Sequence, residues 1–468
     1  RQRQMCIRDR YKDRKNKPIK EDMNNMKKLV ALTCAGLMAA SVVTGCASNN
    51  KEEGGSSDKR VLKVDLFSGG NGEQVFKDLE TAFEETHKDV DVQLRVEKEL
   101  DQVLNKENAK GEYSDVVYYN LGQPSQYTET QLNTKEVMDI SDVVKEINID
   151  PAYANSSVVQ YYGDGKSYLL PLKTTPAGFF YNTELVGPGK KYELPETWDD
   201  MWELGKQLNE EGNGVKLFTY PVKGYFDNTL NALLGQSGGE EFLKNVLTYK
   251  EGVWDTKEGR QVLDTIAKLV SSENLYPDTV SNANAKDGFT INQQAVIDGK
   301  ALFMPNGDWI VNEMEKTTPE KGFHWGLMPL PALKEGGDRY VASMTEQVWI
   351  PKQAKNADDA KEFLKFIYSD KGVEIMAKYG NVVPTKGFQD KVDTMEDGYT
   401  KEFFSVYKDA KTVIGAFSGY DTNTLANFDL KATVFGPIDE IATGKTTVDE
   451  WQKSLSKAWK DLAANPLK

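Results

Sequence analysis

The strongest constraint on the fold is the way the hydrophobic period switches after residue 60. Leu62, Val64 and Leu66 alternate with polar residues, and Ser68-Gly69-Gly70-Asn71-Gly72 then makes a turn. Val75, Phe76, Leu79 and Phe83 recur at the spacing of one helical face, Val90 to Val96 alternates again, and Asp115-Val116-Val117-Tyr118-Tyr119 reads as a buried strand. A period of 2, then 3.6, then 2 is the signature of strand, helix and strand, and it predicts an α/β fold with a parallel, doubly wound sheet. Such sheets gather ligands outside the carboxyl ends of their strands. The loops Ser68 to Glu73 and Asn120 to Ser125 lie there, which makes Asn71, Glu73, Tyr119, Asn120 and Gln123 candidate contacts. The glycine-rich turn lacks a dinucleotide fingerprint, and no Gly-Lys-Ser or Gly-Lys-Thr closes a phosphate loop. Its amides and side chains are therefore expected to face a cleft rather than a nucleotide.

The segment before this pattern has a different character. Met26-Lys27-Lys28 is followed by an uncharged apolar run from Leu29 to Val43, too short to span a bilayer comfortably and suited to the hydrophobic region of an export signal. Val43-Thr44-Gly45-Cys46 resembles a bacterial lipobox, which implies diacylglycerol on the Cys46 thiol and cleavage before it. Residues 23–45 are thus read as a lipoprotein signal peptide. Residues 46–60, poor in apolar side chains, are read as the lipidated cysteine and a flexible tether. Residues 1–22 carry five Arg and four Lys against four acids. They are read as a misassigned or non-native upstream extension, with Met23 or Met26 as the start, and do not enter the fold argument.

Composition bounds what remains. Cleavage before Cys46 removes Cys6 and Cys34, which excludes a disulfide scaffold, a thiolate metal site and a cysteine nucleophile. The whole chain has a formal charge of −14, and loss of residues 1–45, with their excess of seven basic groups, deepens it to −21. So acidic a surface repels nucleic acid and anionic lipid. The 423 residues from Cys46 to Lys468 exceed what one core usually holds, so two domains are expected. No second apolar run is long enough for a membrane helix.

The second half carries a more specific pattern. Gly178-Phe179-Phe180-Tyr181-Asn182 and Leu194-Pro195-Glu196-Thr197-Trp198-Asp199-Asp200 resemble the signature of family 1 extracellular solute-binding proteins. Thr197 is placed to cap a helix that buries Trp198, Trp202 and Leu208, with Asp199 and Asp200 in its first turn. Gly299 to Met304 running into Asn306-Gly307-Asp308-Trp309-Ile310 resembles that family's strand and turn. Thr345 to Pro351, Asp359 to Phe366 and Asn381 to Thr385 resemble its return segment and following helices. The resemblance implies a two-lobed, periplasmic-binding-protein-like α/β fold (type II) with a hinge between lobes. One lobe would hold 61–175 plus 345–390, and the other 176–344 plus 391–468. It also implies a binding lipoprotein of an ABC importer, facing outside the cytoplasm on its lipid anchor. Such a protein captures a mono- or oligosaccharide between the lobes and delivers it to permease subunits, and is expected to be monomeric. Val448, Trp451, Leu455, Trp459 and Leu462 make one apolar stripe, read as core.

Sugars present apolar C–H faces ringed by hydroxyls, so aromatic platforms beside neutral or acidic side chains suit them. The candidates on those grounds are Tyr119, Asn120, Gln123, Tyr225, Phe226, Asp227, Asn228 and Trp309, while Tyr118 is read as buried. Trp309 matches a family position that often stacks on a sugar ring. Asp308 is read either as a hydroxyl contact or as a helix cap, and Glu346 as a ligand contact or a hinge brace. His87 and His324 lack ligand-spaced partners, and there is no Gly-x-Ser-x-Gly elbow, so no metal, cofactor or serine nucleophile is expected. Two alternatives stay open: a surface carbohydrate-active enzyme using paired carboxylates, and a binding protein for a peptide or polyamine.

Overall fold

In the computed structural model the described residues are 59–465, apart from 69–71, 124, 223–224, 287 and 417–427. They lie within the unit Asp58–Lys468. The lipobox and tether, with Cys46, fall outside the described residues, as does Asn71. The strands are β1 (Arg60–Phe67), β2 (Val90–Glu97), β3 (Val116–Tyr118), β4 (Leu170–Asn182), β5 (Lys216–Phe218), β6 (Ala301–Gly307), β7 (Trp325–Met328), β8 (Tyr340–Trp349) and β9 (Lys411–Ala416). They form one sheet in the order β2-β1-β3-β8-β4-β6-β5, with β7 paired to β4 and β9 to β8.

The alternation read from residue 61 becomes β1, and the helix Gln74–Thr86 buries Val75, Phe76, Leu79, Ala82 and Phe83 on its inner face. β1 pairs in parallel with β2 and with β3, as the strand–helix–strand pattern predicts. The parallel reading does not extend across the sheet. β4 runs antiparallel to β6 and β8, and β8 antiparallel to β3. These two long strands join the parallel groups β2-β1-β3 and β5-β6, and no local pattern could announce pairings more than 120 residues apart.

Two main cores flank this junction. One packs Leu62, Val64, Phe76 and Phe83 against Phe363, Leu364 and Ile367, and also takes in Phe404, Val406 and Tyr407. The other packs Phe179, Trp198, Phe218 and Phe303 against Trp254, Leu455 and Trp459. The fold is thus two-lobed, with β4 and β8 passing between the lobes. Thr197 caps the helix Trp198–Glu211 through a reciprocal capping box with Asp200, satisfying two backbone donors that the first turn leaves free. The stripe on Val448–Ala463 is core: Trp451, Leu455, Trp459 and Leu462 are buried, and Trp459 Nε1 donates to the Val246 carbonyl at 2.9 Å.

The crossover is stiffened by buried hydroxyls. Tyr153 Oη lies 2.9 Å from Thr174 Oγ1 and 2.6 Å from Ser343 Oγ, and Tyr407 Oη donates to the same serine at 2.8 Å. Such a network ties β4 and β8 to the first core, to which Tyr153 and Tyr407 both belong, and buried hydroxyls are costly to leave unpaired. Among the described residues no helix is long and apolar enough to cross a membrane.

Candidate functional site

Four strands end at one place. Phe67 closes β1, Tyr118 closes β3, Tyr220 follows β5 by two residues, and Asp308 and Trp309 follow β6 directly. All five residues line one cavity of about 920 Å3, which receives walls from both lobes. A sheet whose strand ends converge in this way builds a crevice from loops while its ladder stays intact.

The floor is made by the crossover strands. Lys173 on β4 and Glu346 on β8 stand directly opposite each other in the antiparallel ladder. Lys173 Nζ is 3.5 Å from Glu346 Oε1, and both side chains are largely buried. Tyr118 Oη donates to Glu346 Oε2. Burial works against the Lys173 charge, but the fields of Glu346 and Asp308 outweigh it and hold its pKa above the ordinary value. For Asp308 burial wins and raises the pKa, with Lys173 opposing. Thr175 Oγ1 donates to Asp308 Oδ2 at 3.3 Å.

Above the floor stands an aromatic wall. The indole of Trp309 lies across Gly307: a Cβ built there would come within 2.1 Å of Cζ3, so only glycine leaves the ring room. Tyr220 and Tyr225 stack with centroids 4.4 Å apart and planes at 13°. Tyr220 adopts φ +83°, a left-handed conformation that bulky residues rarely hold, and its ring reaches the cavity from there. Gln293, fully buried, donates to Glu313 Oε2 at 2.7 Å and to Tyr220 Oη at 3.4 Å. Asn381 brings to the wall a buried Nδ2 with no hydrogen-bond partner among the described residues. Across the mouth, Lys431 Nζ on the helix Leu430–Ala442 donates to the Gly122 carbonyl at 2.7 Å.

Of the residues singled out from sequence, Asn120, Gln123, Tyr225, Asp227, Asp308, Trp309 and Glu346 line this cavity, as does Tyr118. Tyr119 is turned away, its ring edge-on to Phe67 and Tyr127 and its hydroxyl 2.9 Å from Ser125 Oγ. Phe226 is fully buried in the second core. Glu73 is exposed and pairs with Lys77 at 2.9 Å on its own helix. Asn228 sits in the first turn of the helix Asp227–Leu247, and its side chain lies outside the described residues. Asn120 both lines the cavity and braces it: its Oδ1 accepts from Gln347 N at 3.1 Å, while Gln347 Oε1 accepts from Leu121 N at 3.0 Å.

Sequence reasoning did not find Lys173, Tyr220, Glu313, Asn381 or Lys431. The first two had usable signals, a lone lysine within the apolar run Leu169 to Leu172 and beyond, and an aromatic residue just after a short strand. The others sit on helices or loops whose local pattern is unremarkable. Among the described residues no group of three or more His, Cys, Asp or Glu is arranged to hold a metal ion.

Comparison with known proteins gives the site a context. Residues 69–374 match the family described as bacterial extracellular solute-binding protein. The diacetylchitobiose binding protein NgcE of Streptomyces coelicolor is 27% identical over 191 residues, 39% of this chain and 39% of that protein. An arabinooligosaccharide-binding protein of Halalkalibacterium halodurans is 27% identical over 208 residues, 44% of each chain. The alignments thus span about four-tenths of these relatives' length. The solved structure of a family 1 extracellular solute-binding protein from Bifidobacterium longum subsp. infantis superposes with a TM-score of 0.63 at 17% identity. It covers 86% of this chain and 100% of that one, and shares the fold.

Proposed function

Because the chain belongs to the bacterial extracellular solute-binding proteins, matched across residues 69–374, we propose that it captures an uncharged oligosaccharide between its lobes and hands it to an ABC importer. One observation carries this reading: both lobes and the crossover strands contribute to a single cavity that sets aromatic rings beside carboxylates. Its volume, about 920 Å3, is at the upper end of the usual range for small-molecule sites and suits more than one sugar ring. Trp309 supplies a flat apolar face. Asn120, Gln123, Asp227 and Asp308 supply the acceptors and donors that hydroxyls need.

Charge selects further. The wall carries Asp227, Asp308, Glu313, Glu346 and Asp439 against Lys173 and Lys431. Acidic sugars would meet net repulsion, so neutral ones are favoured. The lobes, 61–175 plus 345–390 together with the segment around 404–407 that packs in the first core, and 176–344 plus the rest of 391–468, close over the ligand about β4 and β8, and the permease reads the closed form. Cys46 anchors the protein by lipid on the outer side of the cytoplasmic membrane. The protein acts as a monomer and binds rather than transforms its ligand, in keeping with a family made of binding proteins.

A thermal-shift screen across mono- and oligosaccharides, peptides and polyamines tests this. A true ligand at about a hundred times its Kd stabilises by roughly 2.7 kcal/mol. A shift with spermidine or a peptide and none with any sugar would overturn the assignment, and release of product from an oligosaccharide would replace binding by catalysis.

A further inference from the structure

The floor of the cavity contains a cation whose placement depends on an irregularity of the sheet. β4 and β8 pair Pro171 with Gln347, but the register then shifts, and Lys173 stands opposite Glu346. Without that shift Leu172 would face Glu346, and Lys173 would lie opposite Thr345 on the other face of the sheet. A bulge that re-aims one side chain at the edge of a site is a recurrent device. Here it brings an ammonium group to a cavity floor that would otherwise be apolar at that point.

The surroundings of this ammonium leave it donors to spare. Its side chain is 13% exposed, and among the described residues its one ion-pair partner is Glu346 Oε1, at 3.5 Å. That separation is the outer limit of a hydrogen bond, and an ammonium carries three donors. A buried charge is stable when its hydrogen bonds are made, so a ligand with oxygen acceptors gains from completing them. Asp308, anchored by Thr175 and lying in the field of Lys173, offers carboxylate acceptors from the other lobe. The floor therefore presents an ammonium donor and a carboxyl acceptor together, Lys173 on β4 and Asp308 just after β6. Adjacent sugar hydroxyls, each able to donate and accept, match that pairing.

We propose that Lys173 is a specificity-determining residue of this site, which with Asp308 reads a pair of adjacent hydroxyls on one sugar ring. This rests on the sugar-binding reading above and goes beyond it by naming the residue and the chemical feature it selects. Sugars that are deoxygenated or O-methylated at one of these positions are discriminated against, because the ammonium then keeps an unfilled donor.

The test is calorimetry on the full folded domain. The probes are N,N′-diacetylchitobiose, arabinotriose, raffinose and maltotriose, followed by monodeoxy forms of whichever binds. In the unaltered protein one deoxy position should lose about ten- to a hundredfold in affinity, the range for a hydrogen bond to a charged group. In Lys173→Met the parent sugar should lose a similar factor, and that same deoxy sugar should bind as well as the parent. The double variant Lys173→Met/Glu346→Gln, which leaves no carboxylate charge opposite the methionine, should behave alike and covers the case of a poorly folding single variant. An equal deoxy penalty with and without Lys173, or an unchanged parent affinity, overturns the role of Lys173 while leaving sugar binding intact. Binding of none of the four sugars by the unaltered protein overturns both readings.

Discussion

Replacing Gly307 by alanine isolates the contribution of the Trp309 platform. The added Cβ would stand 2.1, 2.3 and 2.7 Å from Cζ3, Cη2 and Cε3 of the indole. Carbon atoms in good contact sit about 3.5–4.0 Å apart, so the ring has to move by more than an ångström. Gly307 is not among the residues with positive φ, and its backbone accepts a side chain. The strain therefore falls on Trp309, which is only partly buried and borders the cavity into which it can swing. Loss of a well-placed aromatic face removes about 1.5–3 kcal/mol of apolar burial with the ligand. That corresponds to roughly a ten- to hundredfold rise in Kd. The unliganded protein should lose less than about 1 kcal/mol, a fall in Tm of a few degrees at most. Titration calorimetry with the best-binding sugar of the screen, paired with scanning calorimetry of the unliganded protein, measures both. Trp309→Ala should weaken binding by the same factor. Unchanged affinity in Gly307→Ala with a Tm lowered by ten degrees or more would mean that the indole packs the second lobe, and the platform argument fails.

Three further expectations are independent of that one. Cys46→Ala should yield a protein that no longer partitions into detergent or incorporates labelled fatty acid, and membrane retention through lipid would refute the lipobox reading. Asp308→Asn should raise the Tm of the unliganded protein at neutral pH, because burial raises the carboxyl pKa above its ordinary value of 3.8 despite Lys173. A raised carboxyl pKa gives stability that is present in full at low pH and lost as pH rises through the folded value, so the gap between variant and parent should close as the carboxylate protonates; a gap that does not change with pH contradicts this. Thr197→Ala removes the cap of Trp198–Glu211 and should cost about 1 kcal/mol with no change in sugar affinity, since no residue of that helix lines the cavity; weakened binding would show a coupling the geometry does not contain.

What the sequence determined by itself are the features that repeat or cap over a few residues. The alternation in β1 and β2, the helical face of Val75 to Phe83, the Thr197 capping box and the stripe ending at Leu462 are all local, and each was legible because burial imposes a short period on the chain. Trp309 was also legible, since it sits on a turn directly after a strand. The tertiary structure decided which residues meet. Tyr119 and Phe226 belong to sequence neighbourhoods of the cavity, yet one residue of strand register or one turn of helix puts their rings in the core, a choice composition cannot reveal. Lys173, Glu346 and Asp308 come together from β4, β8 and the end of β6, with more than 130 residues between the first and the others. Their meeting depends on antiparallel pairing and a single bulge, neither of which leaves a periodic trace. A binding site is a convergence of loops at strand ends, and loops carry no period of their own, so the chain announces its layers long before it announces its cleft.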